Sequence, residues 1–162
     1  MDFSSPTYLA EDIYLNPEKA GKHVVIVGGG LVGCELGLWL AQKGHSVIIV
    51  EMAPFILGGP HGEIPFPNKD MLKDLLKYHN VAVYTGTKVD DIQDKVIKMH
   101  KSGEEIKLEA DTFVTAIGYR PYNTLYQELS AGQKPVYCIG DSRKVHNIMQ
   151  AIWDGFEIGN AI

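Results

Sequence analysis

The run His23-Val24-Val25-Ile26-Val27-Gly28-Gly29-Gly30-Leu31-Val32-Gly33-Cys34-Glu35 leaves few folds open to this chain. Val24 to Val27 is an unbroken β-branched stretch, the composition of a strand buried on both faces of a parallel sheet, whereas Leu31 to Lys43 has helical character and stops at Gly44. Between them stands Gly28-x-Gly30-x-x-Gly33. In a dinucleotide-binding turn the first glycine makes the turn, the second lets backbone approach a pyrophosphate, and the third lets the helix lie close on the strand. The loop carries no basic residue, so an anion would be held by the helix N-terminus, its dipole and the free N–H groups of its first residues, Leu31 and Val32 among them.

A short glycine pattern is weak alone, and its context strengthens it. Ser46-Val47-Ile48-Ile49-Val50-Glu51 reads as a second buried strand ending in an acid about 20 residues past the glycines, where a carboxylate accepts both hydroxyls of an adenosine ribose. Glu51, with Met52 beside it, is therefore assigned to the cofactor. The acid repels a 2′-phosphate, and from Met52 to Asn68 there is no Arg or Lys, which favours NAD(H) over NADP(H). The competing reading is a glycine-rich turn of a structural α/β domain with Glu51 as a surface acid.

Bulk properties exclude several classes. With 162 residues, 45% hydrophobic and 22% charged, the chain has the size and balance of one ordinary soluble domain. Its apolar runs are strand-length and its start lacks a signal-peptide pattern, so no membrane and a cytoplasmic location are expected. A net charge of −5 with two arginines, Arg120 and Arg143, argues against nucleic acid. Cys34 and Cys138 form no CxxC and the histidines no HxH or HxxxH, so no metal site is expected. Cys34 sits where a helix dipole lowers a thiol pKa, but packing is the favoured role.

Along the chain, residues 1–22 read as a lead-in with a short helical stretch from Tyr8 to Tyr14. The run from Ala53 to Pro67, rich in Pro and Gly, reads as an ordered loop lining the cofactor, followed by a helix from an Asn68 cap to Tyr78 and a strand at Val81 to Tyr84. Lys88 to Glu109 alternates with a turn at Lys101-Ser102-Gly103-Glu104, an antiparallel meander serving as the crossover to a strand at Asp111 to Ile117. Tyr122 to Leu129 is a turn or short helix, Pro135 to Asp141 a last strand, and the remainder a helix capped by Asp141 or Ser142. Val145, Ile148, Met149, Ile152 and Phe156 form its apolar stripe. The expected fold is thus α/β, a Rossmann-like three-layer domain with a parallel sheet and an antiparallel β-meander crossover.

With these motifs assembled, the sequence resembles the pyridine-nucleotide domain of two-dinucleotide flavoprotein reductases, most closely the NADH:flavin oxidoreductases related to 2,4-dienoyl-CoA reductase and enoate reductase. Gly28 to Gly33 with Glu35, then Thr115-Ala116-Ile117-Gly118-Tyr119-Arg120-Pro121, Gly140-Asp141, and Gln150-Ala151-Ile152-Trp153-Asp154-Gly155 match that family's segments in order. The resemblance implies that Glu35 lies toward the nicotinamide end, that Gly118 belongs to the return into an FAD domain, and that Asp141 holds the flavin ribityl chain; an ordinary helix cap is the alternative for Asp141. It divides the chain into the lead-in, an NAD(H)-binding domain at 23–120, and a returning FAD-domain segment at 121–162.

The family has two glycine loops and this sequence has one; the FMN-bearing barrel and its cysteine cluster are also missing. The reading is therefore a fragment: a whole NAD domain plus the tail of an FAD domain, not retaining FAD by itself, with little or no turnover. The cofactor-binding set is Gly28, Gly30, Leu31, Val32, Gly33, Glu35, Glu51, Met52, Gly118 and Asp141, with no catalytic residue, because hydride transfer between cofactors needs no protein acid or base. Expected partners are the dinucleotide, the missing FAD-domain half and catalytic domain, and a second copy docked through the apolar tail, the alternative being a tail folded back on its own NAD domain. A sensor module binding a dinucleotide without turnover is the rival function.

Overall fold

A computed structural model describes residues 7–58 and 66–162. They fall into two compact units, Met1–Gly118 and Tyr119–Ile162. In the first, β1 (Thr7–Leu9), β2 (His23–Val27), β3 (Ser46–Val50), β4 (Ala82–Tyr84) and β8 (Thr112–Thr115) form one sheet in the order β1-β8-β2-β3-β4, with every pairing parallel. Helices α1 (Ala10–Leu15), α2 (Leu31–Gln42) and α3 (Phe66–Tyr78) and the antiparallel sheet β5 (Thr87–Gln93), β6 (Val96–Lys101) and β7 (Glu104–Glu109) complete the unit.

The middle strands of the sheet are buried on both faces, and the sequence of β2 shows how. Val24 and Ile26 join a core with Ile13, Leu36, Leu40, Ile49, Leu72, Leu76 and Val114, which brings in the helices. Val25, between them, points the other way into a core with Val50, Val89, Ile92, Ile97, Met99 and Phe113, which brings in the meander. Helices, parallel sheet and meander are therefore three layers, and the meander is the crossover from β4 to β8. Both of its hairpins close through two-residue turns with positive φ at Asp94 and Lys95 and at Ser102 and Gly103, the sense that matches strand twist.

Several elements differ from the sequence reading. Residues 7–19 do more than lead in: β1 pairs with β8 at Thr7–Phe113, Tyr8–Val114 and Leu9–Thr115, and Ile13 of α1 is fully buried. Three residues carry too little pattern to announce a strand whose ladder is supplied by β8, far along the chain. Helix α3 starts at Phe66, ahead of the expected Asn68 cap, with Pro67 in its first turn where a missing N–H costs nothing. Of the expected loop from Ala53 to Pro67, residues 59–65 lie outside the described residues.

The second unit holds α4 (Thr124–Ser130) and α5 (Ile148–Ala161). The strand expected at Pro135 to Asp141 is not formed: Val136 and Cys138 are half-buried and Tyr137 and Ile139 exposed, a strand-like alternation, but no ladder partner exists for it among the described residues. Asp141 and Ser142 are not the cap of the last helix either. They lie in a single 3-10 turn, Gly140–Ser142, and α5 is capped by Asn147, whose side chain accepts the Gln150 N–H at 2.9 Å.

What organises this unit is Asp154, 4% exposed on α5. Its carboxylate accepts the Gly140 N–H at 3.0 Å, the Arg143 guanidinium at 2.7 Å and the Gln150 amide at 3.1 Å, tying the turn before α5 to the helix. The Gln150 and Gly140 hydrogen bonds, with Arg143 nearby, hold its pKa below the usual aspartate range. The stabilisation this linkage provides is complete above the unfolded value of about 3.9 and disappears as pH falls through the lower folded value. Trp153 fluorescence in a Trp39→Phe background should therefore report loosening of this unit only below about pH 4. Asp154→Asn should loosen it at neutral pH and remove that part of the acid dependence; an Asp154→Asn protein melting like its parent at pH 7 would contradict the assignment.

Candidate functional site

The candidate site lies at the carboxyl ends of β2, β3 and β8, where the sheet order reverses on either side of β2, the place where open α/β sheets leave a crevice. Gly28 follows β2 with φ +116°, its N–H donating to the Val50 carbonyl at 2.8 Å. A Cβ there would stand 2.3 Å from the Ala116 carbonyl oxygen, so the end of β8 excludes any side chain. At Gly33 a Cβ would stand 1.9 Å from the Gly28 carbonyl oxygen, which fixes how closely α2 approaches β2. The protein's own packing thus demands two of the three motif glycines.

Gly30 is different. Its φ of −71° and ψ of −171° suit any residue, and a Cβ would meet nothing within 4 Å. Among the described residues nothing occupies the space beside it. The first bond of α2 runs from the Cys34 N–H to the Gly30 carbonyl at 3.0 Å, so the N–H groups of Leu31, Val32 and Gly33 precede the helical ladder. A cradle that a side chain would fill, next to N–H groups at the positive end of a twelve-residue helix, fits a phosphate group.

Glu51 completes the arrangement. Its Oε2 accepts the Gly29 N–H at 2.6 Å and its Oε1 the Ala53 N–H at 2.6 Å, while its backbone extends the sheet between Tyr84 and Thr87. Each carboxylate oxygen retains acceptor capacity beyond one N–H, so both remain able to accept a hydroxyl. Met52, 72% exposed, flanks it.

Gly29, an unspecified position of the motif, is constrained by packing as Gly28 and Gly33 are. A Cβ there would lie 2.7 Å from Ile56 Cγ2 and 2.9 Å from Glu51 Cβ. Its carbonyl accepts the Leu57 N–H at 2.7 Å and the Cys34 thiol at 3.4 Å. Cys34 is fully buried, and burial first, then the charges of Glu51 and Glu35, push its thiol up to about 12. It is a packing and hydrogen-bonding residue, not a nucleophile. No spacing rule would have singled out Gly29 or Leu57.

The remaining assigned residues are less closely gathered. Glu35 is exposed one turn into α2, and its charge also adds to the burial that raises the Tyr14 phenol. Gly118, with φ +89° and open space around it, follows the Ala116 that abuts Gly28. Asp141 belongs to the second unit, where Oδ1 accepts the His146 N–H at 3.2 Å. Among the described residues no group of three or more His, Cys, Asp or Glu could hold a metal ion, and no helix is long and apolar enough to cross a membrane.

A Rossmann-type sheet with this glycine turn and strand-end acid defines a nucleotide-binding α/β domain. Residues 2–138 match the pyridine nucleotide-disulphide oxidoreductase family, and the chain belongs to it. It is 41% identical over 157 residues to a cinnamate reductase of Clostridium sporogenes and 35% identical over 139 residues to an NADH oxidase of Thermoanaerobacter brockii. These alignments cover 96% and 85% of the chain but 23% and 21% of the relatives. Among solved structures it is similar to 2-naphthoyl-CoA reductase, with a TM-score of 0.79 and 25% identity over 99% of this chain and 26% of that one. Histamine dehydrogenase from Rhizobium sp. 4-9 shares the fold, with a TM-score of 0.83 at 19% identity over 99% of this chain and 26% of that one. The chain is thus a pyridine nucleotide-disulphide oxidoreductase domain of the flavoprotein oxidoreductases, a family that uses FAD and a pyridine nucleotide.

Alanine at the three motif positions should separate packing from vacancy. Gly28→Ala and Gly33→Ala should each lose about 1–3 kcal/mol or more of stability through forced backbone displacement. Gly30→Ala should melt within a degree or two of the parent or slightly higher, since an unfolded glycine is the more flexible. Thermal melts of the three variants check this, and a strongly destabilised Gly30→Ala would mean that protein occupies the cradle.

Proposed function

We propose that this chain binds NADH through the glycine turn and Glu51 and presents its nicotinamide to a flavin in a longer reductase of the enoate and dienoyl-CoA type. The observation that carries the reading is Gly30: among the described residues nothing requires a glycine there, and the space it keeps open adjoins the N–H groups of α2 that precede the helical ladder. The Glu51 carboxylate, already oriented by Gly29 and Ala53, supports a hydroxyl-bearing ribose and repels a 2′-phosphate. A bound nicotinamide would supply the hydride chemistry, and this chain's residues bind and orient it. The similarity to a cinnamate reductase and to 2-naphthoyl-CoA reductase supports a conjugated acid or thioester as the final acceptor in the longer protein.

The chain spans about a quarter of the length of these relatives, and the second unit is read as the returning part of a flavin domain. Its apolar stripe supports this: Ile148, Met149, Ile152 and Phe156 are 62–81% exposed. Asp141 would belong to the flavin side, and FAD is not expected to stay with this chain alone. A sensor module that binds the nucleotide through the same Gly30 and Glu51 contacts without turnover is the second reading.

Calorimetry on the 162-residue chain should show NADH binding more tightly than NADPH. Glu51→Ala should weaken NADH by about 1.5–3 kcal/mol, the worth of a charged hydrogen-bond acceptor. Gly30→Ala should weaken both nucleotides. Equal affinity for the two nucleotides in the parent would exclude this site assignment.

Light scattering behind a sizing column should show a dimer of the chain through α5. Each large apolar side chain it covers is worth about 1.5–3 kcal/mol, and Ile152→Glu with Phe156→Glu should yield monomer. A monodisperse parent monomer would refute the dimer.

A further inference from the structure

The loop that follows Glu51 contains a residue held where its type is seldom found. Leu57 has φ +57°, in the left-handed region that Gly or Asn usually occupies, yet it is 1% exposed and part of the core beneath the helices. That conformation lets the residue do two things together: its side chain enters the core, and its N–H reaches the Gly29 carbonyl at 2.7 Å. Ile56, packed against the same core, fills the space a side chain on Gly29 would need. At its other end the loop is fixed by the Ala53 N–H on Glu51 and by the Gly86 N–H on the Ala53 carbonyl at 2.8 Å.

We infer that Leu57 is a positioning and specificity-determining residue: buried in its left-handed conformation, it straps residues 53–57 onto Gly29 and so fixes the Glu51 carboxylate that discriminates between the two pyridine nucleotides. The inference rests on the reading of Glu51 as the ribose acceptor. Its mechanical basis is the closed circuit from Glu51 through Gly29 to Leu57 and back along residues 53–56, in which each link is a hydrogen bond or the chain itself. Removing the apolar anchor leaves the Leu57 N–H in place but removes what holds it against Gly29. The carboxylate then loses its fixed bearing relative to the turn, and the discrimination between a ribose hydroxyl and a phosphate diminishes. Binding of the shared pyrophosphate, which rests on the cradle at Gly30 and on α2, persists.

The test uses Leu57→Ala, Leu57→Met and Ile56→Ala in the full chain, with amide hydrogen exchange and the affinities for NADH and NADPH measured on each. The Leu57 amide should be protected in the parent and exchange at least about tenfold faster in Leu57→Ala and Ile56→Ala, with Leu57→Met restoring protection. Leu57→Ala should lose about tenfold in NADH affinity, the scale of one charge-assisted hydrogen bond, with NADPH much less affected, so that the preference narrows. Equal losses for both nucleotides, as a merely structural role would give, overturn the inference, as does a parent Leu57 amide exchanging like an open loop. If Leu57→Ala does not fold, Ile56→Ala decides it by the same criteria. Glu51→Ala separates the two levels: if it leaves the preference intact, the ribose reading fails; if it abolishes the preference while Leu57→Ala and Ile56→Ala keep it, only the strap fails.

Discussion

The Glu51 carboxylate receives the Gly29 N–H on one oxygen and the Ala53 N–H on the other, and much of the candidate site depends on that pair of contacts. Charge-assisted bonds of this kind are about twice as strong as neutral ones, and here they join the turn after one strand to the end of its neighbour. The turn is thereby fixed on three sides. β8 closes against Gly28, α2 closes on the Gly28 carbonyl through Gly33, and Glu51 with Ile56 closes on Gly29. Among the described residues nothing abuts Gly30, which is how a rigid turn can leave one approach open for an anion.

This rigidity has a source in the layers below. A carboxylate can orient a glycine turn only if the strands carrying them do not shift, and β2 and β3 are held in register by five pairs from His23–Ser46 to Val27–Val50. Val24, Ile26 and Ile49 on one face and Val25 and Val50 on the other prevent slippage, because a one-residue shift would exchange every buried side chain between the helix core and the meander core. Leu57 extends the helix-side core outward to the loop, so the same apolar contacts that set register also reach the site.

Much of this was legible in the sequence, and the parts that were not share a cause. The buried runs at Val24 to Val27 and Ser46 to Val50, the glycine spacing and Glu51 carry their meaning locally, and the alternation from Lys88 to Glu109 announces the meander. β1 was invisible because three residues gain their ladder from β8, and the strand read at Pro135 to Asp141 fails because pattern without a ladder partner is not a strand. Gly29 and Leu57 escaped notice since one is a free position of the motif and the other, by residue type, gives no sign of a positive φ. Asp154 lay in a segment matched by resemblance, but its role depends on Gly140 and Arg143 meeting it across the turn.

The two units hold their polar turns in opposite ways, and the difference bears on what each can do alone. In Met1–Gly118 the glycine turn rests on two cores that the unit supplies from its own strands and helices, so the turn and Glu51 are fixed within that unit. In Tyr119–Ile162 the turn at Gly140 is fixed by Asp154, the one buried residue of α5, while the helix's large apolar side chains stay exposed. A buried carboxylate with a guanidinium and an N–H specifies a shape but contributes little of the apolar burial that stabilises a domain. The first unit therefore carries the whole of the candidate glycine-turn site, and the second carries a preformed turn beside an exposed apolar helix face.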